Sequence, residues 1–264
     1  MRDILSRYGP VALVTGASSG IGEAFALYLA QQGCTVVAVA RRAERLEALK
    51  HRVAEVGRGE IIPVTVDLQE PSASELLFDT VRARGLSVDI LINNAGFGRL
   101  GTLESVSRED SLGMVDLNCR AVVDITRRFL PAMKERKRGA VIILSSVVGT
   151  IPAPWFAVYS ATKAFDLYFG EALYAECLGT GVDVVTVLPG LTRTEFQASS
   201  GLREYHSPYR SAEQVVESAF HAIGRKSIVV DGLFNKVMSH GSRFLPRCAL
   251  IALSRFVMRK ELKL

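Results

Sequence analysis

The chain has 264 residues, of which 48% are hydrophobic, and its net charge is +5 at neutral pH. This length and apolar content suit one α/β domain with a large core, and the mixed charges exclude a largely disordered chain. The positive balance fits an anionic ligand or an acidic surface. Because the sequence has no zinc finger, RNA-binding aromatic signature or basic stripe, we expect no nucleic acid partner.

The ends and the cysteines of the sequence bear on its cellular setting. Residues 1–7 do not form the apolar region of a signal peptide, and no apolar run reaches about 18 residues, so we expect a cytoplasmic protein. The four cysteines form no CxxC pair and predict buried free thiols in a reducing compartment; they are Cys34, Cys119, Cys177 and Cys248. The histidines show no metal-ligand spacing, so no metal is predicted.

Short apolar runs alternate with longer amphipathic stretches along the chain. The runs predict seven strands, at residues 11–15, 35–40, 61–66, 88–93, 140–145, 182–188 and 227–230. The stretches predict helices at residues 20–32, 44–55, 72–84, 107–133, 159–177 and 213–223. Because the strands are apolar throughout, the sheet should be parallel and covered by helices on both faces. The sequence therefore predicts a doubly wound, Rossmann-like α/β fold in a single domain.

A glycine-rich turn joins the first predicted strand to the first helix. Glycine lets a backbone approach a pyrophosphate closely, and the N-terminus of the following helix offers free N–H groups and positive potential. A tight structural turn is the alternative, but the wholly apolar strand before the turn favours a dinucleotide site. The residues that we expect to contact it are Gly16, Ser18, Ser19, Gly20, Ile21 and Gly22.

Further motifs follow this turn in a fixed order. They are Asn93-Asn94-Ala95-Gly96, Asn118, Ser146, Tyr159-x-x-x-Lys163, and Pro189-Gly190 with Thr192 and Thr194 beyond. Together with the Thr15-Gly16-x-x-x-Gly20-x-Gly22 spacing, this set resembles the short-chain dehydrogenase/reductase family over residues 9–232. The resemblance implies an oxidoreductase with Asn118, Ser146, Tyr159 and Lys163 as catalytic residues. It also implies cofactor contacts at Asn94, Ala95, Gly96, Tyr159, Lys163, Pro189, Gly190 and Thr192.

The residues after the second strand indicate which nicotinamide cofactor is used. An acidic residue in this place would hold the ribose 2′-hydroxyl and repel a 2′-phosphate. No Asp or Glu occurs from residue 34 to 43, and Arg41 and Arg42 stand there instead. Guanidinium groups bind phosphate with charge-assisted hydrogen bonds, which predicts NADP(H), although a solvated basic start to a helix is the alternative. Ser19 departs from some NADP-using relatives, which carry a basic residue at this loop position. The resemblance places Asp67 and Leu68 at the adenine, with Asn94 close by.

The spacing of Tyr159 and Lys163 predicts that both side chains leave one face of a helix. A lysine charge about 4 Å away favours the phenolate by about 3 pKa units, so we expect Tyr159 to exchange a proton with the substrate oxygen. Ser146 should bind the same oxygen, and its neighbour Ser145 is the rival. Asn118 is expected to kink its helix around a water that links Lys163 to solvent.

The substrate side is predicted to be apolar. We expect an apolar or amphipathic carbonyl compound or alcohol to meet residues 191–209 and five apolar side chains, Phe97, Val147, Val148, Trp155 and Phe156. Residues 196–211 have the composition of a mobile lid or, equally, of an ordinary surface loop. A non-catalytic NADP-binding regulator and a membrane-surface scaffold are the alternative functions.

The last residues of the chain, 236–264, form a basic tail beyond a catalytic domain that we assign to residues 1–235. Seven basic residues face one acid, Glu261, and residues 247–260 are predicted to be an amphipathic helix with Arg247, Ser254, Arg255 and Arg259 on one side. This helix could pack on a partner subunit, cap the substrate pocket or lie on an anionic membrane. We expect a homo-oligomer, a dimer or a tetramer, with peripheral membrane contact as a possibility left open.

Overall fold

The computed structural model describes residues 4–202 and 209–262. Seven strands form one parallel sheet in the order β3-β2-β1-β4-β5-β6-β7. They are β1 (Val11–Thr15), β2 (Thr35–Ala40), β3 (Glu60–Thr65), β4 (Ile90–Asn93), β5 (Gly139–Leu144), β6 (Val182–Leu188) and β7 (Ile228–Val230). The predicted doubly wound parallel fold, with seven strands, is confirmed.

Helices connect the strands and cover both faces of the sheet. The first seven are α1 (Ile4–Tyr8), α2 (Gly20–Gln31), α3 (Ala43–Val56), α4 (Ala73–Ala83), α5 (Arg108–Val115), α6 (Ala121–Glu135) and α7 (Ala157–Cys177). The others are α8 (Phe196–Ser200), α9 (Ala212–Ala222), α10 (Leu233–Gly241) and α11 (Arg247–Leu262). No described helix is both long enough and apolar enough to cross a bilayer.

The apolar strands are explained by a core on each side of the sheet. Leu13 of β1 packs in the cluster formed with α4, α6 and α7, whereas its neighbour Val14 packs in the cluster formed with α2, α3 and α9. Successive side chains of a strand point to opposite faces, so a strand that is covered on both faces needs an apolar residue at every position. This arrangement leaves the ends of the strands as the places where polar residues can act.

The carboxyl ends of β1, β4, β5 and β6 lie side by side. The chain winds from β1 to β2 and β3 on one side and then returns to β4 on the other side of β1. Such a reversal separates the connections that follow β1 and β4 and opens a crevice above the sheet. In the turn after β1, a Cβ atom at Gly22 would lie 2.2 Å from the carbonyl oxygen of Gly16, so only glycine lets helix α2 pack this closely on the loop.

Three kinds of feature depart from the sequence predictions. The helix predicted at 107–133 is interrupted by a π-helical turn, Asp116–Arg120, between α5 and α6. Helices α1, α8 and α10 were not predicted, because five to nine residues are too few for a clear amphipathic pattern. Cys248 is exposed and Cys119 is partly exposed, whereas Cys34 and Cys177 are buried as predicted.

The tail helix α11 agrees with the predicted helix at 247–260, but its orientation differs from the prediction. Ser254 is buried and packs toward the protein, whereas Arg255 and Arg259 are exposed, so these residues do not share one solvent face. Leu250, one turn before Ser254, is buried as well. The expected boundary between residues 235 and 236 lies inside α10.

Candidate active site

A cavity of about 1110 Å³ opens above the carboxyl ends of the strands. Of the residues predicted for the site, all but two line it: Gly16, Ser18, Ser19, Gly20, Ile21, Arg41, Arg42, Asp67, Leu68, Asn94, Ala95, Gly96, Ser146, Tyr159, Lys163, Pro189, Gly190 and Thr192. The remaining two, Gly22 and Asn118, lie behind this wall and contact residues that form it.

Tyr159 stands in the wall between two aromatic rings. Its ring centroid lies 4.5 Å from that of Phe156 and 5.3 Å from that of Phe196, and the residue is 8% exposed. Burial raises the pKa of Tyr159, and this effect outweighs the lowering by the charge of Lys163 and by a hydrogen bond from Ser146. The expected net lowering of this pKa is therefore wrong, because desolvation and a nearby acid both act against it.

That acid is Asp166, which the sequence analysis missed. The Nζ atom of Lys163 donates to Asp166 Oδ2 over 2.9 Å and to the carbonyl oxygen of Leu144 over 2.7 Å. Burial lowers the pKa of Lys163, but Asp166 and Tyr159 together raise it above its ordinary value. An acid three residues after a lysine on one helix is a signal that could have revealed the pair.

Ser145 and Ser146 use their hydroxyl groups differently. Ser145 is buried, and its Oγ donates to the backbone oxygen of Lys163 over 2.6 Å. The Ser146 hydroxyl lies 3.4 Å from the carbonyl oxygen of Pro189 and acts to lower the pKa of Tyr159. Of the two serines, it is therefore Ser146 whose hydroxyl is brought to the tyrosine.

Asn118 lies in the π-helical turn and is fully buried. Its side chain accepts a hydrogen bond from the Phe97 N–H over 3.1 Å and donates to the Phe97 carbonyl and to Thr162 Oγ1, each over 3.0 Å. π-helical turns inside α-helices are frequent at functional sites, and this one turns the amide toward the loop after β4. Sequence reasoning missed Thr162, which lies next to Lys163.

Hydrogen bonds from the segment after β4 hold the loop that follows β1. Asn94 Nδ2 donates to the Thr15 carbonyl over 2.8 Å, and Thr15 Oγ1 accepts from the N–H groups of Asn94 and Ala95. The Asn94 amide thus supports the glycine turn in addition to lining the cavity. The N–H groups at the start of α2, the glycine turn and two serine hydroxyls form a cradle that fits a dinucleotide pyrophosphate.

Arg42 lies directly over this cradle. Its Nη2 atom donates to Ser18 Oγ over 3.0 Å and to Ser19 Oγ over 2.7 Å. Its Nη1 atom pairs with Glu195 over 2.9 Å, and Glu195 also pairs with Arg45 over 2.6 Å. Sequence reasoning missed this acid, which reaches the arginine from the segment after β6.

The substrate side of the cavity is largely apolar. Phe97, Val147, Val148 and Phe156 line it as predicted, but Trp155 is not among the described residues that do. Of the predicted segment 191–209, several residues up to Leu202 contribute, whereas residues 203–208 lie outside the described part of the chain. The predicted lid at 196–211 begins with helix α8, which carries Phe196 against Tyr159.

Helix α10 and the tail supply the rest of this largely apolar wall. Helix α10 and the turn after it contribute Phe234, Asn235, Val237, Met238, Ser239, Gly241, Ser242 and Leu245. Helix α11 contributes Leu250, Leu253, Ser254, Val257 and Met258. Of the three placements that the sequence left open for the tail, the structure thus shows it at the pocket.

Comparisons with known proteins agree with this geometry. The model of the short chain dehydrogenase family matches residues 10–204. A short chain dehydrogenase of Pseudocercospora fijiensis is 42% identical over 194 residues, which are 72% of this chain but only 62% of that relative's length. A solved 7beta-hydroxysteroid dehydrogenase is 29% identical and superposes over 95% of this chain and 98% of its own, with a TM-score of 0.87. A short-chain dehydrogenase from Sphingobium yanoikuyae, solved in complex with NADPH, is 31% identical over 84% of this chain and 87% of its own, with a TM-score of 0.77.

Proposed function

We propose that the chain, which belongs to the short chain dehydrogenase family of oxidoreductases, uses NADP(H) to interconvert a carbonyl group and an alcohol on an apolar or amphipathic small molecule. One observation carries the proposal: Tyr159, Ser146 and Lys163 share a single cavity with Arg42 and the glycine turn. The proton-handling residues and the phosphate cradle therefore serve one crevice, as hydride transfer requires.

Each catalytic side chain has a stated task in the reduction. NADPH supplies a hydride to the carbonyl carbon when it is bound. Tyr159 donates its phenolic proton to the carbonyl oxygen, and Ser146 donates a hydrogen bond to the same oxygen and so holds it beside the tyrosine. Lys163 keeps a positive charge near Tyr159 and has one N–H left for the nicotinamide ribose, since its other two are used by Leu144 and Asp166. Asn118 holds the Phe97 backbone in place behind them.

The preference for NADP(H) rests on charge at the mouth of the cradle. Arg42 is held over Ser18 and Ser19, and Arg41 lies beside Asp67 with 3.6 Å between Nη1 and Oδ2. Two guanidinium groups in this place favour a 2′-phosphate. Asp67 and Leu68 line the same cavity, which is compatible with the adenine contact that the family resemblance implies for them. The NADPH in the Sphingobium yanoikuyae relative supports this choice.

The substrate class follows from the size and lining of the cavity. Beyond Tyr159 the wall is built from the aromatic residues Phe97, Phe156 and Phe196, and from apolar residues of the tail. A bulky apolar molecule gains most from such a surface, at about 25 cal/mol per Å² buried. The likeness to a 7beta-hydroxysteroid dehydrogenase, which acts on a molecule of this kind, supports a steroid-like or similarly large apolar substrate.

The exposed faces of two neighbouring helices support the expected homo-oligomer. Leu112 and Val115 of α5 and Phe165 and Tyr168 of α7 are exposed apolar side chains. Contiguous apolar surface of this kind is typical of protein interfaces, and the same surface on a second copy would cover it. Peripheral contact of the tail with an anionic membrane is a separate proposal.

An assay of NADPH oxidation with a panel of aldehydes and ketones tests the proposed function. Tyr159→Phe removes the proton donor while keeping the ring between Phe156 and Phe196, so we expect at least a hundredfold loss of kcat, a size typical of a lost general acid, with NADPH affinity nearly unchanged. Tyr168→Phe is the matched control, because Tyr168 lies on the same helix but outside the cavity wall and the change keeps its ring. Near-normal turnover in Tyr159→Phe would refute the mechanism and favour a non-catalytic NADP-binding regulator.

A further inference from the structure

We propose that Asp166 is a positioning residue that fixes the Nζ atom of Lys163 and keeps it charged for its work beside Tyr159. This inference rests on the proposed function, because it concerns how Lys163 performs the part assigned to it there. Asp166 itself lies behind the lysine and is absent from the cavity wall, so it acts only through Lys163.

The geometry of the pair sets it apart from the other ion pairs of the described residues. The side chains of Lys163 and Asp166 are 6% and 1% exposed, and no other described ion pair has both partners this inaccessible. Lys163 Nζ is held from two directions, by Asp166 Oδ2 and by the Leu144 carbonyl. Because an ammonium has three N–H groups, these two contacts direct the third away from the core.

Stability alone does not account for an acid in this position. Burying an ion pair often gains nothing over apolar residues of the same volume. The second oxygen of Asp166, Oδ1, is buried and has no hydrogen-bond partner among the described residues, which adds to the cost. Burial raises the pKa of Asp166 to about 6 despite the neighbouring lysine, so the fold accepts a carboxylate in an unfavourable place. Such a cost is expected where the charge is needed for function.

The charged and titratable groups around the pair give the expected direction of its effect. Lys163 and Tyr159 lie on the same helix as Asp166, and Cys119 approaches from the π-helical turn. Asp166 raises the pKa of Lys163 and also that of Tyr159. Ketone reduction needs a protonated tyrosine and a charged lysine, so the carboxylate extends the reduction reaction to higher pH.

Asp166→Asn tests the inference, because it keeps the size and one acceptor oxygen but removes the charge. We expect NADPH binding, measured by calorimetric titration, to weaken about tenfold, since a charge-assisted hydrogen bond that holds Lys163 is lost. In the pH profile of ketone reduction, the fall at alkaline pH should move about one unit lower. Asp166→Glu keeps the charge but displaces it, so it should keep the alkaline fall of the native protein and still weaken NADPH binding.

Asp89→Asn is the matched control. Asp89 is also a buried acid and pairs with Arg136, but it precedes β4 at the opposite end of the sheet. The Asp89→Asn variant should have a lower melting temperature than the native protein, but the same NADPH Kd and the same pH profile. If Asp166→Asn behaved in the same way, Asp166 would be merely structural and the inference would be overturned. If Asp166→Asn did not fold, native NADPH affinity in Asp166→Glu would overturn it instead. The calorimetric titrations with NADPH need no turnover. A failure of the proposed reaction, seen in the Tyr159→Phe assay, would therefore be distinguished from a failure of this inference.

Discussion

The hydroxyl of Ser254 donates a hydrogen bond of 2.6 Å to the carbonyl oxygen of Pro152, across 102 residues of sequence. Pro152 follows the turn that begins after Ser146, and Ser254 lies in the middle of the last helix, so this bond fastens the tail to the substrate side of the cavity. Because Leu250 and Ser254 are buried there, α11 is ordered by the pocket that it covers, as a short helix needs to be.

Removal of residues 247–264 should therefore raise the KM for large apolar ketones at least tenfold. The deletion takes away five lining residues, whereas a small ketone bound beside Tyr159 would lose few contacts. The NADPH Kd should stay unchanged, because the glycine turn and Arg42 lie elsewhere. Steady-state kinetics with a large and a small ketone and a cofactor titration measure all three. An equal rise in KM for both ketones would show that the tail supports the fold rather than the substrate.

A single change gives a milder version of the same test. Ser254→Ala leaves the Pro152 carbonyl without the hydrogen bond from Ser254. We expect the free energy of unfolding to fall by about 1 kcal/mol and the KM for large ketones to rise. Thr80→Ala is the control, since Thr80 donates a similar hydrogen bond to Leu76 on the exposed side of α4. It should leave every kinetic constant unchanged.

The fold and most residues of the candidate site could be predicted from the sequence. The predictions that failed did so for physical reasons. The strands could be predicted because every position of β4 and β5, and all but the first of β1, is buried. The site residues that line the cavity could be predicted because their order along the chain matches a known family. Thr162 and Glu195 were missed because their importance depends on side chains that they meet only in the fold, whereas the spacing of Asp166 from Lys163 was a signal that the sequence analysis did not use. The direction of the pKa shift of Tyr159 was predicted wrongly, because the spacing of Tyr159 and Lys163 does not show how deeply the phenol is buried.

Reversing charge at the cradle should switch cofactor preference. We expect Arg42→Asp to weaken NADPH binding at least tenfold and to change NADH binding less, because NADH has no 2′-phosphate for the guanidinium to bind. Arg41→Asp should have a smaller effect, as Arg41 is more exposed and already lies near Asp67. Calorimetric titration with both cofactors decides the point. Tighter binding of NADH than of NADPH to the unchanged protein would contradict the assignment of NADP(H).

Glu195 should oppose NADPH binding. It pairs with Arg42 and Arg45, and hydrogen bonds from these arginines lower its pKa, so it stays ionised at neutral pH. A 2′-phosphate must compete with this carboxylate for Arg42. We therefore expect Glu195→Gln to tighten NADPH binding several-fold while leaving NADH unaffected. Glu47→Gln, which removes an exposed acid that pairs with Lys50 on α3, is the control. Weaker NADPH binding in Glu195→Gln would show that the acid instead organises the arginines.

The pH dependence of the two directions should differ. Burial keeps the pKa of Tyr159 above its ordinary value, so the phenol retains its proton through neutral and mildly alkaline pH. Reduction, which needs the protonated form, should hold its rate there, whereas oxidation, which needs the phenolate, should rise as pH increases. Initial rates in both directions, measured from about pH 6 to 10, test this. The upper end of this range is the ordinary pKa of tyrosine. An oxidation rate that is flat over this range would place the proton acceptor elsewhere.

The outer face of the tail predicts contact with anionic lipid. Phe244 is 88% exposed and Phe256 is 68% exposed, and both lie outside the cavity wall. Arg255 and Arg259 are exposed on α11, and Arg259 lies three residues after Phe256 on the same side of the helix. Such apolar and basic pairing is typical of helices that lie on a membrane surface. A second copy of this face would carry the same charge, which disfavours self-association here. We therefore expect the protein to float with vesicles that contain phosphatidylserine, and to do so less in high salt.

Paired variants separate the two uses of the tail. Phe256→Ser with Arg259→Ser should abolish flotation with phosphatidylserine vesicles but leave the KM for large ketones unchanged, because neither residue lines the cavity. Val257→Ser, one residue along the same helix, should keep flotation and raise the KM for large ketones, because Val257 lines the cavity. Vesicles of phosphatidylcholine alone should bind weakly in every case, because they offer no negative charge to the arginines. Equal flotation with both vesicle types, or no flotation of the native protein, would show that this face does not serve an anionic membrane.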